Sequence, residues 1–334
     1  MTTIFFGELM LRLSPPGREL LLQTPKFEVN VGGAEANVAT GLACLGHKVR
    51  MVSAVADNPL GAAAIGELRR RGVDTSTIAS EPGRLGLYFL TPGAGLRASE
   101  VVYDRAYSAF AMRAADSWDW DAALAGATRL HLSGITPALG PNSAAAAIAA
   151  AEAAAARGVA VSFDGNYRAK LWEAWDSDPK AVLTTLIGHA DILFGNHRDI
   201  SLLLGKNFSG DGADRRREAA EAAFAAFPKL QVIASTARHV VDADSHRVAA
   251  RVDLRSGGHQ TDEVTIAGIV DRIGAGDAFA AGVLHGLSQG GDAVAAANAG
   301  LALTALKHSL PGDASLFGQA DIDAFLEGEL DVRR

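Results

Sequence analysis

The regular alternation of short apolar strands with helices downstream of Trp120 constrains the fold most strongly. The segments ATRLHLSG, VAVSFDGN, DILFGN and LQVIAST are typical of buried strands, and helical segments such as PNSAAAAIAAAEAAAARG separate them. Repeated strand–helix units form parallel sheets with helices on both faces. The sequence therefore predicts an α/β fold with a Rossmann-like, mostly parallel sheet flanked by helices.

Two β-rich segments, residues 9–30 and 85–112, interrupt this pattern. Pro and Gly residues punctuate the first segment, and the second is rich in aromatic residues that favour strands. We expect the two segments to meet in a small β-sheet lid outside the main domain. The predicted large domain then comprises residues 1–8, 31–84 and 113–334.

Polar residues follow the predicted strands at the points where the strands end. In open parallel sheets, ligands bind beyond the carboxyl ends of the strands. A fourth polar segment, the turn GAGD, follows the predicted strand VTIAGIV. The sequence therefore predicts one site built from these strand ends. Its candidate residues on the first three strands are Asp164, Asn166, Arg168, Asn196, Asp199, Ser235, Thr236 and Arg238.

The sequence from Gly274 to Asp277 predicts a turn that begins a helix. Glycines allow the backbone to approach a ligand closely, and first-turn amides are free donors for an anion. The helix dipole is expected to keep the Asp277 carboxylate ionised, so that it can accept a proton from an alcohol. This arrangement suits phosphoryl transfer to a hydroxyl group. The alternative is that Asp277 is an ordinary residue of a helix N-terminus.

A second glycine turn, in NVGGAEANVATGLACLG, precedes another predicted helix. Gly32 and Gly33 would let a polyhydroxyl ligand approach the backbone, and Asn37 offers both a donor and an acceptor. The alternative is a tight strand-to-helix turn in which Asn37 only caps the helix.

Composition excludes several classes of protein. The 334-residue chain has a formal net charge of -7, so no nucleic-acid partner is expected. Cys44 is the single cysteine, which excludes a disulfide framework and a Cys-based metal site. No basic leader or export signal is evident, and no apolar run approaches the ~20 residues of a membrane span. We therefore expect a cytoplasmic protein without a membrane partner.

Taken together, the motifs resemble a known family. GGAEANVATGLACLG and DRIGAGDAFAAGVLHG resemble the paired signatures of the ribokinase-like (PfkB) carbohydrate kinases, and DILFGNHRD resembles that family's Asn-x-x-Glu motif. Their order and spacing agree over nearly the whole chain. The resemblance implies a ribokinase-like fold with a small β-sheet lid, ATP as phosphoryl donor and Mg²⁺ as cofactor.

The resemblance also implies roles for individual residues. Asp277 corresponds to the catalytic base, and Gly274, Ala275 and Gly276 correspond to the anion hole. Asn196 and the acid three residues later correspond to the group that orients magnesium and phosphates through water. Here that acid is Asp199 rather than glutamate, which keeps the charge but shortens the side chain by one methylene.

Three further stretches, GGAEANVA, YDRAYSAF and FDGNYRAKLW, resemble the subgroup acting on 2-keto-3-deoxygluconate. The implied reaction phosphorylates its C6 hydroxyl to give 2-keto-3-deoxy-6-phosphogluconate. Arginine suits the carboxylate of a sugar acid because its planar fork donates two parallel hydrogen bonds. The alternatives are a solvated lid charge for Arg105, a surface loop residue for Arg168, cross-strand packing for Tyr88 and an ordinary turn for Asp313. The substrate contacts implied by the resemblance are Gly32, Gly33, Asn37, Tyr88, Tyr103, Arg105, Arg168, Asp277 and Asp313.

On the nucleotide side the chain departs from the family, because STARHVVDADSHRV replaces a glycine-containing loop. Ser235, Thr236 and Arg238 are predicted to contact phosphates. Asn298 is predicted to lie near adenine or ribose, with helix packing as the alternative.

The expected partners are therefore a small sugar acid and ATP, with a homo-oligomer formed through the lid. Two rival functions stay open at this point. One is a kinase for another sugar, such as 2-keto-3-deoxygalactonate, fructose or ribose. The other is a regulator that binds sugar or nucleotide without catalysis. A nicotinamide dehydrogenase is disfavoured, because FFGELMLRL lacks a GxGxxG turn after the first strand.

Overall fold

The computed structural model describes residues 1–329, so the last five residues of the predicted large domain, 330–334, lie outside the described residues. A single large sheet forms the centre of the molecule. Its strands, in chain order, are β1 (Thr2–Phe6), β4 (Lys48–Ala56), β5 (Asp74–Glu81), β8 (Ala127–Ser133), β9 (Ala160–Asp164), β10 (Ile192–Phe194), β11 (Val232–Asp242), β12 (Ser245–Leu254), β13 (Gly257–Gln260) and β14 (Val264–Ala267).

The strand order in this sheet is β13-β12-β11-β10-β9-β8-β1-β4-β5, with β14 also paired to β12. The strands from β11 to β5 pair in parallel, and β12, β13 and β14 add antiparallel pairs at one side. The strands alternate with helices, as predicted. The helices are α1 (Ala34–Cys44), α2 (Pro59–Arg70), α3 (Ala109–Met112), α4 (Trp120–Ala123), α5 (Pro141–Ala156), α6 (Ala169–Trp172), α7 (Pro179–Gly188), α8 (His197–Leu204), α9 (Gly212–Ala226), α10 (Ala275–Ser288), α11 (Ala293–Lys307) and α12 (Gln319–Glu327).

The main sheet separates two apolar cores, because neighbouring residues of a strand point to opposite faces. Phe5 packs with residues of α1, α10 and α11 on one face. Ile4 and Phe6 pack with residues of α5, α7 and α9 on the other face. The alanines of α5 lie against this second core, where their small side chains let the helix approach the sheet closely. This is the predicted α/β architecture, with helices on both faces of the sheet.

A second sheet of four strands contains both β-rich segments. Its strands are β2 (Met10–Ser14), β3 (Glu28–Gly32), β6 (Gly86–Thr91) and β7 (Glu100–Asp104), in the order β3-β2-β6-β7. The outer pairs are antiparallel, whereas β2 and β6 run parallel because they belong to distant segments. Strand β3 ends at Gly32, two residues beyond the predicted lid boundary.

Two local predictions differ from the structure. Ser235, Thr236 and Arg238 lie inside β11 rather than in a loop after it, because β11 continues into a long antiparallel hairpin with β12. The segment before GAGD is not a parallel strand, since β14 pairs antiparallel with β12 and the connecting residues 268–274 form no strand. In the chain from residue 1 to 329, no helix is long and apolar enough to cross a membrane.

Candidate active site

A cavity of about 950 Å³ lies beyond the carboxyl ends of β9 and β10 and alongside the middle of β11, between the main sheet and the four-stranded sheet. Most of the predicted site residues line it, although three do not: Gly32, Arg105 and Asn298. The predicted residues in the lining are Gly33, Asn37, Tyr88, Tyr103, Asp164, Asn166, Arg168, Asn196, Asp199, Ser235, Thr236, Arg238, Gly274, Ala275, Gly276, Asp277 and Asp313.

The GAGD turn forms the N-terminus of α10. Gly274 is the N-cap residue with a φ of 76°, and a Cβ atom there would lie 1.6 Å from the carbonyl oxygen of Asp313. Only glycine fits this position, because the conformation is left-handed and another backbone is in contact. The amides of the first helical turn have no partner four residues earlier in the helix. The Ala275 amide donates to the carbonyl oxygen of Arg272 at 3.3 Å, so the amides of Gly276 and Asp277 remain as donors for an anion, beside the Asp277 carboxyl group that lines the cavity.

Asn37 holds Asp277 in place from a different helix. It lies in the first turn of α1, and its Nδ2 donates a hydrogen bond of 2.7 Å to Oδ2 of Asp277. The preceding N-cap, Gly33, has a φ of 148°, and a Cβ atom there would lie 2.3 Å from the carbonyl oxygen of Glu8. The tight turn brings the start of α1 to the start of α10. Asn37 thus orients the carboxyl group in addition to lining the cavity.

The charge state of Asp277 differs from the sequence prediction. Burial, together with the nearby carboxyl groups of Asp164, Asp313 and Glu35, raises its pKa to about 8 despite the lowering effect of the hydrogen bond from Asn37. A helix dipole contributes about 1 kcal/mol, which corresponds to less than one pKa unit. Burial and carboxylate repulsion therefore outweigh the dipole. In the unliganded protein most Asp277 is protonated at neutral pH.

A buried ion network connects the small sheet to the loops around the GAGD turn. Arg12 on β2 pairs with Asp271 at 2.7 Å and with Asp313 at 3.1 Å, and its side chain is 2% exposed. The Tyr88 hydroxyl donates to Asp313 as well. Gly32 does not line the cavity, but a Cβ atom there would lie 2.2 Å from Oδ2 of Asp313. Its role in this structure is to leave room for that carboxylate.

Arg105 is placed differently from the predicted substrate contact. Its Nε donates to Oε2 of Glu8 at 2.9 Å, Nη2 binds the same oxygen, and both side chains are buried. Glu8 would otherwise be a buried carboxylate without a partner, which is strongly unfavourable. The guanidinium also lies 5.7 Å from the centre of the Tyr103 ring. Asn298 lies on α11, outside the cavity lining.

Two carboxyl groups face each other at the ends of β9 and β10. Asn196 and Asp199 form the capping box of α8, in which Asp199 accepts a hydrogen bond of 2.8 Å from the Asn196 amide. Burial and the neighbouring Asp199 raise the pKa of Asp164 to about 7. Between residues 1 and 329, no group of three or more His, Cys, Asp or Glu could hold a metal ion. However, Mg²⁺ is commonly held by one or two carboxylates and substrate phosphates, so this pair fits it.

The opposite side of the cavity carries cations without carboxylate partners. Arg238 is exposed on β11, and Arg272 lies two residues before the GAGD turn. In the described part of the chain, neither guanidinium forms an ion pair, and each charge disfavours the other. A polyanion bound between them would relieve this repulsion. The sequence reasoning missed Arg272, although its position directly before the turn could have indicated it.

Arg12 and Glu8 were also missed, because no local motif marks a buried ion pair between distant strands. Asp164 was noticed at a strand end but was given no role. Its position beside Asp199 depends on two parallel strands lying next to each other.

A mostly parallel sheet, a small sheet above its carboxyl edge and an acid at a helix N-terminus define a ribokinase-like kinase. The chain belongs to the pfkB family of carbohydrate kinases, which it matches over residues 3–316. It is therefore an ATP-dependent carbohydrate kinase, and the predicted family and enzyme class are confirmed.

Individual relatives agree with this assignment. A Haloferax volcanii protein named 2-dehydro-3-deoxygalactonokinase is 31% identical over 329 residues, which cover 97% of this chain and 96% of the relative. A Bacillus subtilis protein named 2-dehydro-3-deoxygluconokinase is 28% identical over 316 residues, covering 94% and 91%. A crystal structure of 2-dehydro-3-deoxygluconokinase from Thermotoga maritima is 38% identical, with a TM-score of 0.93 and coverage of 98% of this chain and 100% of that one. The predicted fold class is confirmed.

Proposed function

We propose that the protein transfers the γ-phosphoryl group of ATP to the C6 hydroxyl of 2-keto-3-deoxygluconate, giving 2-keto-3-deoxy-6-phosphogluconate. The observation that carries this proposal is the Asp277 carboxyl group, which Asn37 holds at the N-terminus of α10 inside the cavity. Relatives named for this sugar acid, also called 2-dehydro-3-deoxygluconate, support the choice of substrate.

Asp277 acts as the general base in this reaction. Its free Oδ1 accepts the proton of the C6 hydroxyl while the oxygen attacks the γ-phosphorus, and the bond to the β-phosphate oxygen breaks to release ADP. The amides of Gly274, Ala275 and Gly276 donate to the negative charge that develops on the phosphoryl oxygens. Asn37 restricts the rotation of the Asp277 side chain, so that the base stays aimed at the hydroxyl.

The sugar acid binds beneath the small sheet. Arg168 is exposed at the cavity wall and forms no ion pair in the part of the chain that is described, so its guanidinium is available for the substrate carboxylate. Tyr88, Tyr103 and Asp313 line the same region and supply polar groups for the hydroxyls. Arg105 supports this side indirectly, because its pair with Glu8 keeps it beside the Tyr103 ring.

ATP binds on the other side of the GAGD turn, where Ser235, Thr236 and Arg238 line the cavity. Asn196 and Asp199, with Asp164 opposite, are the residues that would hold Mg²⁺, which would supply positive charge to offset the negative charge of the phosphates. The raised pKa of Asp164 supports this placement, because a cation would stabilise both carboxylates.

The small sheet acts as the lid and as the surface for self-association. Residues directly opposite one another on its four strands, Val29, Leu13, Phe89 and Val102, form one apolar row across the sheet. Val29 is 59% exposed and Val102 is 47% exposed, which indicates a surface suited to a second copy. We expect a dimer by light scattering, and Val29→Lys should shift it toward monomer.

A substrate panel tests the proposed function. Purified protein with Mg·ATP is given 2-keto-3-deoxygluconate, 2-keto-3-deoxygalactonate, fructose or ribose, and ADP release is followed. We expect the highest kcat/KM with the gluconate and a 6-phosphate product by mass spectrometry. Higher kcat/KM with either neutral sugar would contradict the sugar-acid assignment.

A variant separates recognition of the carboxylate from general damage to the site. Arg168→Gln is expected to raise KM for the sugar acid at least tenfold, because one charge-assisted pair is lost. The matched control is Arg70→Gln on the exposed face of α2, which should leave KM unchanged. Equal KM values for Arg168→Gln and wild type would remove Arg168 from the binding site.

A second candidate substrate is 2-keto-3-deoxygalactonate. The relative that is 31% identical over nearly the whole chain carries a name for this epimer. The two acids share the carboxylate and the C6 hydroxyl, so the proposed base and Arg168 serve both equally. A kcat/KM for the galactonate above that for the gluconate would establish this alternative.

A further inference from the structure

Lys307, near the end of α11, is a fully buried cation that the proposed mechanism does not use. Its side chain is 0% exposed. Its ammonium group donates to the carbonyl oxygens of Leu310, at 3.0 Å, and Asp271, at 3.3 Å. These two acceptors belong to different loops, residues 268–274 before the GAGD turn and residues 308–313 after α11. The ammonium therefore bridges the two loops that flank the catalytic turn.

The position is energetically costly for a lysine. Removing an ammonium from water costs several kcal/mol, and a hydrophobic side chain of similar volume is often no less stable there. In the described part of the chain, no carboxylate lies within ion-pair distance of Lys307. Asp271 and Asp313 attract it from farther away, Arg12 repels it, and burial lowers its pKa. Stability alone is thus a poor explanation for a cation at this position.

The contacts around Lys307 converge on the anion hole. The Asp271 side chain accepts hydrogen bonds from the amides of Ile273, at 2.9 Å, and Gly312, at 3.1 Å. One turn earlier on α11, the Thr304 hydroxyl donates to the carbonyl oxygen of Ala275. The face of α11 that carries Lys307 and Thr304 therefore contacts the catalytic turn at its start and in the loop before it.

We propose that Lys307 is a positioning residue for phosphoryl transfer. Its ammonium ties the 268–274 loop to the 308–313 loop, and so it fixes the direction of the Gly274–Gly276 amides and of Asp277. The inference rests on the proposed roles of Asp277 and of these amides. Lys307 does not line the cavity, so no direct contact with either substrate is proposed for it. Its loss should therefore lower kcat while leaving substrate affinity nearly intact.

The first test removes the positive charge of Lys307 while keeping the volume of its side chain. Lys307→Met is expected to lower kcat about 100-fold, as for a small misplacement of reacting groups. KM for ATP and for the sugar acid should change less than threefold. The matched control is Lys48→Ala, an exposed lysine at the amino end of β4, which should retain wild-type kcat. Melting temperatures of all variants are recorded, and kcat is expressed per folded protein.

Chemical rescue separates positioning from simple destabilisation. Lys307→Ala should recover kcat at least tenfold when propylammonium ions are added, whereas wild type and Lys48→Ala should not respond. If Lys307→Met does not fold, Lys307→Gln takes its place with the same criteria. A kcat within twofold of wild type, or a folded Lys307→Ala without rescue, would overturn the inference.

Measuring Asp277→Asn in the same series distinguishes a failure of the proposed role of Lys307 from a failure of the proposed role of Asp277 as the base. An inactive Asp277→Asn together with an active Lys307→Met overturns only the role of Lys307. An active Asp277→Asn overturns the assignment of the base.

Discussion

The two sides of the cavity satisfy their charges in opposite ways. Behind the proposed sugar side, the polar side chains of Glu8, Arg12, Tyr88, Arg105 and Asp313 are buried and bound to one another in two groups. On the proposed nucleotide side, Ser235, Thr236, Arg238 and Arg272 line the cavity, and the two guanidinium groups form no ion pair within residues 1–329.

Under the proposed function, this difference corresponds to two modes of binding. A sugar acid is small and has several hydroxyls, so its recognition depends on fixed groups in a desolvated pocket. ATP carries several negative charges, so free cations suffice to attract and hold it. Substitutions on the sugar side should therefore reduce stability as well as activity, whereas those on the nucleotide side should change ATP affinity alone.

The largest effect is expected at Asp277, where the two sides meet. Asp277→Asn should lower kcat about 10³-fold, because general-base catalysis is lost while the amide still fits beside Asn37. Removal of a carboxyl group that is buried beside other carboxyl groups should raise the free energy of unfolding at neutral pH by about 1 kcal/mol. Steady-state kinetics and thermal denaturation measure these changes.

The control for this variant is Asp262→Asn, an exposed aspartate in the segment between β13 and β14. It should match wild type in both measurements. Full turnover by Asp277→Asn would show that a different group acts as the general base.

The second-largest effect is expected at the buried ion pair of Arg105 and Glu8. Arg105→Ala leaves Glu8 buried without a partner and should destabilise the protein by about 3–5 kcal/mol. The exposed Arg238→Ala should cost less than about 0.5 kcal/mol. Chemical denaturation with both variants measures the contrast, and equal losses of stability would remove the distinction between the two sides.

The third effect is a pH dependence of kcat/KM. Because burial and neighbouring carboxylates raise the pKa of Asp277 to about 8, the active ionised form is the minor one at neutral pH. The value of kcat/KM should increase about tenfold per pH unit below 8 and level off above it. The same shift predicts that ionising Asp277 destabilises the folded protein, since the folded state holds this proton more tightly than the unfolded chain.

The test is whether kcat/KM increases with pH below 8. A level kcat/KM between pH 6 and 9, measured with saturating magnesium, would mean that Asp277 is already ionised in the free enzyme. The helix dipole would then outweigh burial, as the sequence reasoning expected.

Much of the fold could be predicted from sequence because its determinants are local. Strand and helix periodicity and the glycines before α1 and α10 each depend on a few neighbouring residues. The same holds for the GAGD turn, where the left-handed backbone of Gly274, with a φ of 76°, favours glycine. From the order of the motifs we expected Asp277, Asn196 and Asp199 to share one site, and all three line the same cavity.

The remaining features depend on contacts between distant segments. Arg105 looks like a free lid cation in YDRAYSAF, and only the folded chain brings Glu8 to it. Likewise, Asn37 bonds to Asp277 across 240 residues of sequence. The pKa of Asp277 was misjudged for the same reason, because burial in the folded chain raises it most and three carboxyl groups from other segments add to the increase.

The smallest effect tests the nucleotide side directly. Arg272→Gln and Arg238→Gln should each raise KM for ATP about tenfold, because each removes one charge-assisted contact to a phosphate. KM for the sugar acid and the melting temperature should stay at wild-type values, since neither guanidinium has an ion-pair partner among residues 1–329. Lower ionic strength should enlarge the difference from wild type, because salt screens the charges of the exposed Arg238 and the half-buried Arg272. If either variant instead changes KM for the sugar acid alone, the phosphates lie elsewhere and the unpaired arginines belong to the sugar side.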